Sequence, residues 1–238
     1  MTATQWILVS GILIVSAVFQ SAIGFGSGLI AIPLVAQVAP EAVPGSLVVA
    51  TFALNVAVLI REREAVDVGP LRPAALGAVA GTSVAAALLG TLSDQALLIV
   101  VALCVLAMVG LVASGAQPRR TPTTMLAAGA GAGFASTAAG IPGPPIALVY
   151  TDADGARVRG SLAAFFLLTG TFTLIGLRLT GRLDGWSIRT GILLMPAVLL
   201  GFVLGKRAIP LVDRGLTRPA ILVVSAVSAG LLLVRALA

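Results

Sequence analysis

An all-α bundle of membrane-spanning helices is the fold that this sequence predicts, on three observations. Of 238 residues, 58% are hydrophobic and 10% charged, and the mean hydropathy is +1.10. A soluble domain carries roughly 25% charged residues, so the chain lacks the polar surface to cover a globule in water. The few charges are also clustered: Met1 to Pro40, Leu76 to Ser93 and Ala96 to Gln117 contain none, the pattern of a multi-span protein. Finally, the chain resembles itself at an offset of 115 residues, which divides it into halves 1–115 and 116–238.

Taken in order, the first apolar stretch, Gln5 to Val38, is too long for one span. Its 34 residues would reach about 50 Å as a straight helix at about 1.5 Å per residue, and SAIGFGSG (Ser21 to Gly28) interrupts it. No Lys or Arg precedes its apolar core, so it reads as a membrane segment rather than a signal peptide. Three regular spans follow, at 43–60, 71–92 and 96–113, each close to the ~20 residues needed to cross ~30 Å of hydrocarbon. The second half opens with another overlong stretch, Thr121 to Thr151. There STAAGIPGPP (Ser136 to Pro145) forces a break, because proline removes a backbone donor and clashes with the preceding turn. Regular spans at 161–177, 188–204 and 220–237 complete it.

The internal repeat is clearest where Val43, Gly45, Ser46, Leu47, Leu59, Ile60 and Arg63 align with Val158, Gly160, Ser161, Leu162, Leu174, Ile175 and Arg178. Whether the broken segments cross the bilayer decides if the halves are parallel or inverted. If both cross, Lys and Arg divide nine to six between the two faces. If both are re-entrant they divide eleven to four, the eleven lying in loops 61–72, 115–121, 151–160 and 205–218. The positive-inside rule favours the more asymmetric partition, and re-entrant segments give the inverted repeat common among transporters. Tilted broken helices that cross remain the alternative.

Composition excludes much chemistry. There is no histidine and a single cysteine, Cys104, which reads as core. Imidazole or thiolate metal sites, Cys-His nucleophiles and intrachain disulfides are therefore absent. The net charge of +6 comes from fourteen arginines and one lysine in loops and at span ends, a topology signal rather than a nucleic-acid footprint. Every Asp and Glu (Glu41, Glu62, Glu64, Asp67, Asp94, Asp152, Asp154, Asp184 and Asp213) falls in a loop or at a helix end, so no acid relay of the kind pumps use is written into the spans. No Walker A motif is present. No metal, no cofactor and no enzyme activity are expected.

Unwound backbone at membrane depth is tolerated only where protein buries it or where it lines a cavity, so the two breaks are the first candidates for a substrate site. The first offers Gln20, Ser21, Gly24, Gly26, Ser27 and Gly28; the second offers Ser136, Thr137, Gly140, Pro142, Gly143, Pro144 and Pro145. A half-helix is expected to begin after each break, near Leu29 and Ile146, with N-terminal N–H groups that favour a small anion. Scattered glycines (Gly11, Gly77, Gly81, Gly110, Gly129, Gly191, Gly201 and Gly230) read instead as close helix packing. Of the in-span polar residues, Thr51, Thr82, Ser83, Thr169, Thr171, Thr173, Ser225 and Ser228 read as bonded to their own helices. Asn55 divides evenly between substrate contact and interhelical bonding, a carboxamide facing hydrocarbon being costly. Arg72, Arg178 and Arg189 read as interfacial anchors.

The strings FQSAIGFGSGLIAIPLV and GAGAGFASTAAGIPGPPIALVY, each at the start of a four-segment half, resemble the two signatures of the TauE/SafE family of sulfite and organosulfonate transporters, over nearly the whole chain. By position the resemblance points to Gly24, Gly26, Gly28, Gly140, Pro142, Gly143, Pro144 and Pro145. It departs from the commonest second signature at Ile141 and Pro142, where a further glycine stands. It implies a multi-pass secondary transporter of the cytoplasmic membrane, carrying sulfite, an organosulfonate or a similar anion by alternating access. A passive anion channel and a non-transporting scaffold subunit are the alternatives. The expected partners are the small anion and the lipid bilayer, with further copies of the chain an open option and nucleic acid not expected.

Overall fold

A computed structural model describes residues 1–150, 153–212 and 217–237, with the side chains of 208–221 excepted. Asp152, Asp213, Arg214 and the side chain of Arg218 lie outside the described residues. Among the described residues there are ten helices and no strand: α1 (Ala3–Ile23), α2 (Ser27–Val38), α3 (Gly45–Glu62), α4 (Val68–Leu89), α5 (Asp94–Ala113), α6 (Pro122–Ala139), α7 (Gly143–Ala147), α8 (Gly155–Leu179), α9 (Gly185–Val212) and α10 (Thr217–Leu237). Six of them, α1, α3, α4, α5, α8 and α9, are long and apolar enough to cross a membrane. Large apolar side chains such as Ile7, Leu76, Ile192 and Val203 are more than half exposed, as a lipid-facing surface requires.

Both overlong stretches fold as helical hairpins. Thr2 starts α1 through a capping box with Gln5, and the helix stops at Gly24, whose φ of 102° is the left-handed conformation that glycine supplies. Gly26 repeats that conformation and starts α2. The chain then runs back along α1, so that Gln5 Nε2 donates to Val38 O at 2.8 Å. Likewise Thr121 and Pro122 start α6, Gly140 ends it, and α7 with a following turn at Leu148–Tyr150 runs back. Here Arg120 Nε donates to Val149 O at 3.3 Å, and its guanidinium lies 4.4 Å from the Tyr150 ring centroid. Gln5 and Arg120, which stand 115 residues apart, therefore make the same tie between the foot of a hairpin's first helix and the end of its second.

The hairpins leave two faces. On the terminal face lie both ends of the described chain and the turns 39–44, 90–93 and 180–184, joined by Arg182–Asp94 at 2.7 Å, Gln95 Nε2 to Ala236 O at 2.8 Å and Arg235 Nη1 to Gln37 O at 3.1 Å. Opposite is a basic face, joined by Arg120–Asp67 at 3.4 Å and by Asp67 N donating to Ser161 Oγ at 2.9 Å. It carries Arg61, Arg63, Arg72, Arg119, Arg120, Arg157, Arg159, Lys206 and Arg207, against Arg178, Arg182, Arg189 and Arg235 on the terminal face. Each hairpin thus ends near the face on which it began.

Packing across the chain is reciprocal. α1 lies on α9 and α6 on α4, α3 and α8 meet at the centre, and α5 pairs with α10. Exchanging residues 1–115 with 116–238 swaps the α1–α9 pairing with the α6–α4 pairing and returns α3–α8 and α5–α10 onto themselves. Glycine makes the closest pairs possible: a Cβ on Gly77 or Gly81 of α4 would overlap the Leu126 or Ala130 carbonyl of α6, and one on Gly129 or Gly133 would overlap Ala74 or Ala78 of α4. Gly201 plays that part for α9 against Ile14 of α1, and Gly191 lies within 2.6 Å of Ser46 O by the same measure. This is small-residue packing of membrane helices. Gly11, Gly110 and Gly230 meet nothing within 4 Å among the described residues, so the packing role expected for them is not seen.

Single cysteines placed in a Cys104→Ala background test this topology with membrane-impermeant maleimides. Glu41→Cys should be labelled from the face that labels Thr2→Cys, and Gly115→Cys from the opposite face. Labelling of Glu41→Cys together with Gly115→Cys would contradict it.

Candidate functional site

The two breaks meet. A Cβ on Gly28 would sit 2.8 Å from Gly140 O and 3.3 Å from Ile141 Cα, so the backbone of one hairpin tip rests directly on the other. Around this contact is a cavity of about 40 Å³. At ~10–15 Å³ per water-sized group, it holds about three or four such groups. Gln20, Gly26, Ser27, Gly28, Asn55, Gly140, Pro142, Gly143 and Pro144 line it, with Leu47, Thr51, Ile141 and Phe166 among the residues completing the wall.

The polar side chains of the wall form a relay. Ser27 Oγ donates to Gln20 Oε1, and Gln20 Nε2 donates to Asn55 Oδ1 at 2.8 Å. All three residues are buried. The relay fixes the carboxamide of Asn55 and consumes its acceptor, while Asn55 Nδ2 has no hydrogen-bond partner among the described residues. Thr51 Oγ1 donates to its own helix at Leu47 O, 2.8 Å away. Leu47, Thr51 and Asn55 recur every four residues, so one stripe of α3 faces the cavity.

The half-helices differ from the expectation in both position and chemistry. α2 begins at Ser27 and α7 at Gly143, two and three residues earlier than the sequence suggests, the prolines of α7 fitting its first turn. The first turn of α2 carries no side-chain cap, leaving the N–H groups of Ser27, Gly28 and Leu29 as free donors. The first turn of α7 contains Pro144 and Pro145, which have no N–H to offer. The first hairpin thus supplies donors, whereas the second supplies shape and the Gly140 carbonyl.

Five sequence candidates are placed away from the cavity. Ser21 Oγ donates to Phe202 O at 3.2 Å and accepts from Arg61 Nη1 at 3.1 Å. Gly24 packs on the backbone of Arg159, 3.2 Å from its Cα by the added-Cβ measure. Ser136 and Thr137 meet Thr173 at 2.8 and 3.1 Å, and Thr137 also donates to Thr82 at 3.3 Å. This buried hydroxyl cluster ties α6 to α8 and α4, so Thr82 and Thr173 are not confined to bonds within their own helices. Pro145 lies against Gly131. Thr51 and Phe166 are cavity residues that the sequence reading missed. The four-residue spacing from Asn55 identifies Thr51; nothing local identifies Phe166.

No charged side chain lines the cavity. Its nearest charges stand behind the first tip on the basic face. Glu62 Oε1 is 2.9 Å from both Arg61 Nε and Arg159 Nε, and Arg61 Nη2 donates to Ser21 O at 2.7 Å. On the terminal face Asp184 caps α9; hydrogen bonds from the Ser187 side chain and from Ser187 N, the latter at 2.7 Å, hold its carboxyl below the usual carboxylate range.

Paired hairpins whose tips enclose a neutral, donor-bearing cavity inside a multi-span bundle have the geometry of membrane transporters with broken helices. The family profile described as sulfite exporter TauE/SafE matches residues 8–232, and the chain belongs to that family, one of transporters rather than enzymes. Neither the curated proteins nor the solved structures include a match.

The tip contact gives a stability prediction. In purified full-length protein, Gly28→Ala should destabilise by about 1–3 kcal/mol, the usual cost of overpacking. Gly11→Ala, in open space inside α1, should be neutral or stabilise by up to about 1 kcal/mol through helix propensity. Equal unfolding midpoints for the two variants would refute the backbone-to-backbone contact.

Proposed function

We propose that the chain moves a small sulfur-containing oxyanion across the cell membrane by alternating access, with the cavity between the hairpin tips as the site of transport. The observation that carries this reading is the uncapped first turn of α2 converging with Asn55 on a cavity that has no charge of its own. Free N–H groups and the positive end of a helix favour an anion, and a neutral site binds it weakly enough to release it, as permeation requires. Sulfite, with four heavy atoms, matches room for about three or four water-sized groups. A bulkier sulfonate would require the cavity to widen.

The two halves are read as an inverted duplication, and the reciprocal pairings of α1 with α9 and α6 with α4 support this. Rocking one hairpin and its partner helix against the other pair would expose the cavity to either face in turn. By the positive-inside rule the basic face is cytoplasmic.

Proteoliposomes loaded with unlabelled sulfite provide the test. Uptake of radiolabelled sulfite should be saturable and accelerated by the internal anion, and Asn55→Leu should lower it at least about tenfold, a loss of about 1.4 kcal/mol or more. Cys104→Ala should leave it unchanged. Uptake no faster than in protein-free vesicles would refute the reading.

A further inference from the structure

The ion cluster on the basic face is more than a topology anchor. Glu62 Oε1 lies 2.9 Å from the Nε of both Arg61 and Arg159, so one carboxylate joins α3 to α8. The side chains of Arg61, Glu62 and Arg159 are only 18%, 11% and 14% exposed. Two guanidinium groups around one carboxylate leave an excess positive charge in a place where water screens it poorly. Neither Nη group of Arg159 has a hydrogen-bond partner among the described residues, although the side chain is nearly enclosed. A guanidinium offers five donors in a planar fork suited to oxyanions; Nε is spent on Glu62, and the four on the Nη groups are left without a protein partner.

The cluster also clasps the first hairpin tip. Arg61 holds Ser21 through both its Oγ and its carbonyl, at 3.1 and 2.7 Å, and the backbone of Arg159 packs on Gly24. The tip in turn closes the cavity at Gly26. Any ligand that draws the two arginines away from Glu62 therefore loosens the wall between the cavity and the basic face. The second tip is shut differently, with Gly140 set against the apolar side chains of Ile32 and Pro44.

We propose that Arg61 and Arg159 form a second anion site at the basic-face mouth of the pathway, selective for a divalent oxyanion such as sulfate or sulfite, and that the Glu62 carboxylate is its tethered competitor. An arriving oxyanion takes the place of Glu62 between the guanidinium groups, separates α8 from α3 and releases the tip. The role as an entry gate rests on the transport reading; the binding site itself does not. The neighbouring Arg63–Glu64 pair, at 3.9 Å and largely exposed, neutralises itself and takes no part.

Sulfate is the probe, and the full chain in detergent is the sample. In the wild-type protein sulfate should slow phenylglyoxal modification of Arg61 and Arg159, read residue by residue by mass spectrometry, while chloride at matched ionic strength does not. Glu62→Gln should bring half-protection at about tenfold lower sulfate, and Glu62→Gln with Arg159→Gln should lose that gain. Modification of wild-type protein that is indifferent to sulfate, or equal half-protection in wild type and Glu62→Gln, would overturn the proposal. Sulfite flux without protection would remove this site and leave the transport reading standing. Protection without flux would do the reverse.

Discussion

The structure depends on one contact, the backbone of Gly28 against the carbonyl of Gly140. Peptide groups taken out of a helix at membrane depth are tolerated only where protein buries them or where they line a cavity, and each hairpin tip, with Gly24 N bonded back to Gln20 O and Gly140 N to Ser136 O, is covered by the other. Several features follow from holding two tips in register. Gln5 and Arg120 pin the returning arms to the feet of their hairpins. The glycines of α4, α6 and α9 let each hairpin's long helix lie almost backbone to backbone on a helix of the opposite half. A side chain at those positions would displace a tip as well as a helix.

The two tips divide the chemistry between them. Asn55 Nδ2, its carboxamide held by the Gln20–Ser27 relay, and the uncapped turn of α2 supply donors, while Pro144 and Pro145 withhold theirs. In the proposed mechanism an anion in the cavity would be gripped from one side and confined from the other, and movement of one tip alone would weaken the grip. The closures differ as well: guanidinium and carboxylate groups toward the basic face, aliphatic side chains toward the terminal face. The first responds to charge and the second to packing, which suits a pathway in which an oxyanion itself is the signal to open.

Much of this was legible in the sequence, for physical reasons that also mark its limits. Charges cannot sit in hydrocarbon, so their spacing gave the spans. The proline cluster cannot continue a helix and Gly24, Gly26 and Gly140 readily leave it for the left-handed conformation, so they marked the breaks, and the partition of basic residues pointed to hairpins. What the sequence does not encode locally is the rotation of a helix about its axis. Ser21 and Ser136 stand at matching places before the two breaks, yet both turn outward to neighbouring helices, while Gln20, one residue earlier, turns inward. Ser136 and Thr137 satisfy hydroxyls on α4 and α8, partners that only the folded chain brings near. Glu62 and Arg159, 97 residues apart, are another such pair, and Phe166 reaches the cavity only because α8 crosses behind it.

The central claim is that a small oxyanion binds between the hairpin tips. Selenite, which has the shape and charge of sulfite and a strong anomalous signal, tests it most directly in crystals of the full chain. The account predicts an anomalous peak between Ser27 and Gly140, within hydrogen-bond distance of Asn55 Nδ2 and the first-turn N–H groups of α2. Saturating selenite that leaves this cavity without a peak would contradict it.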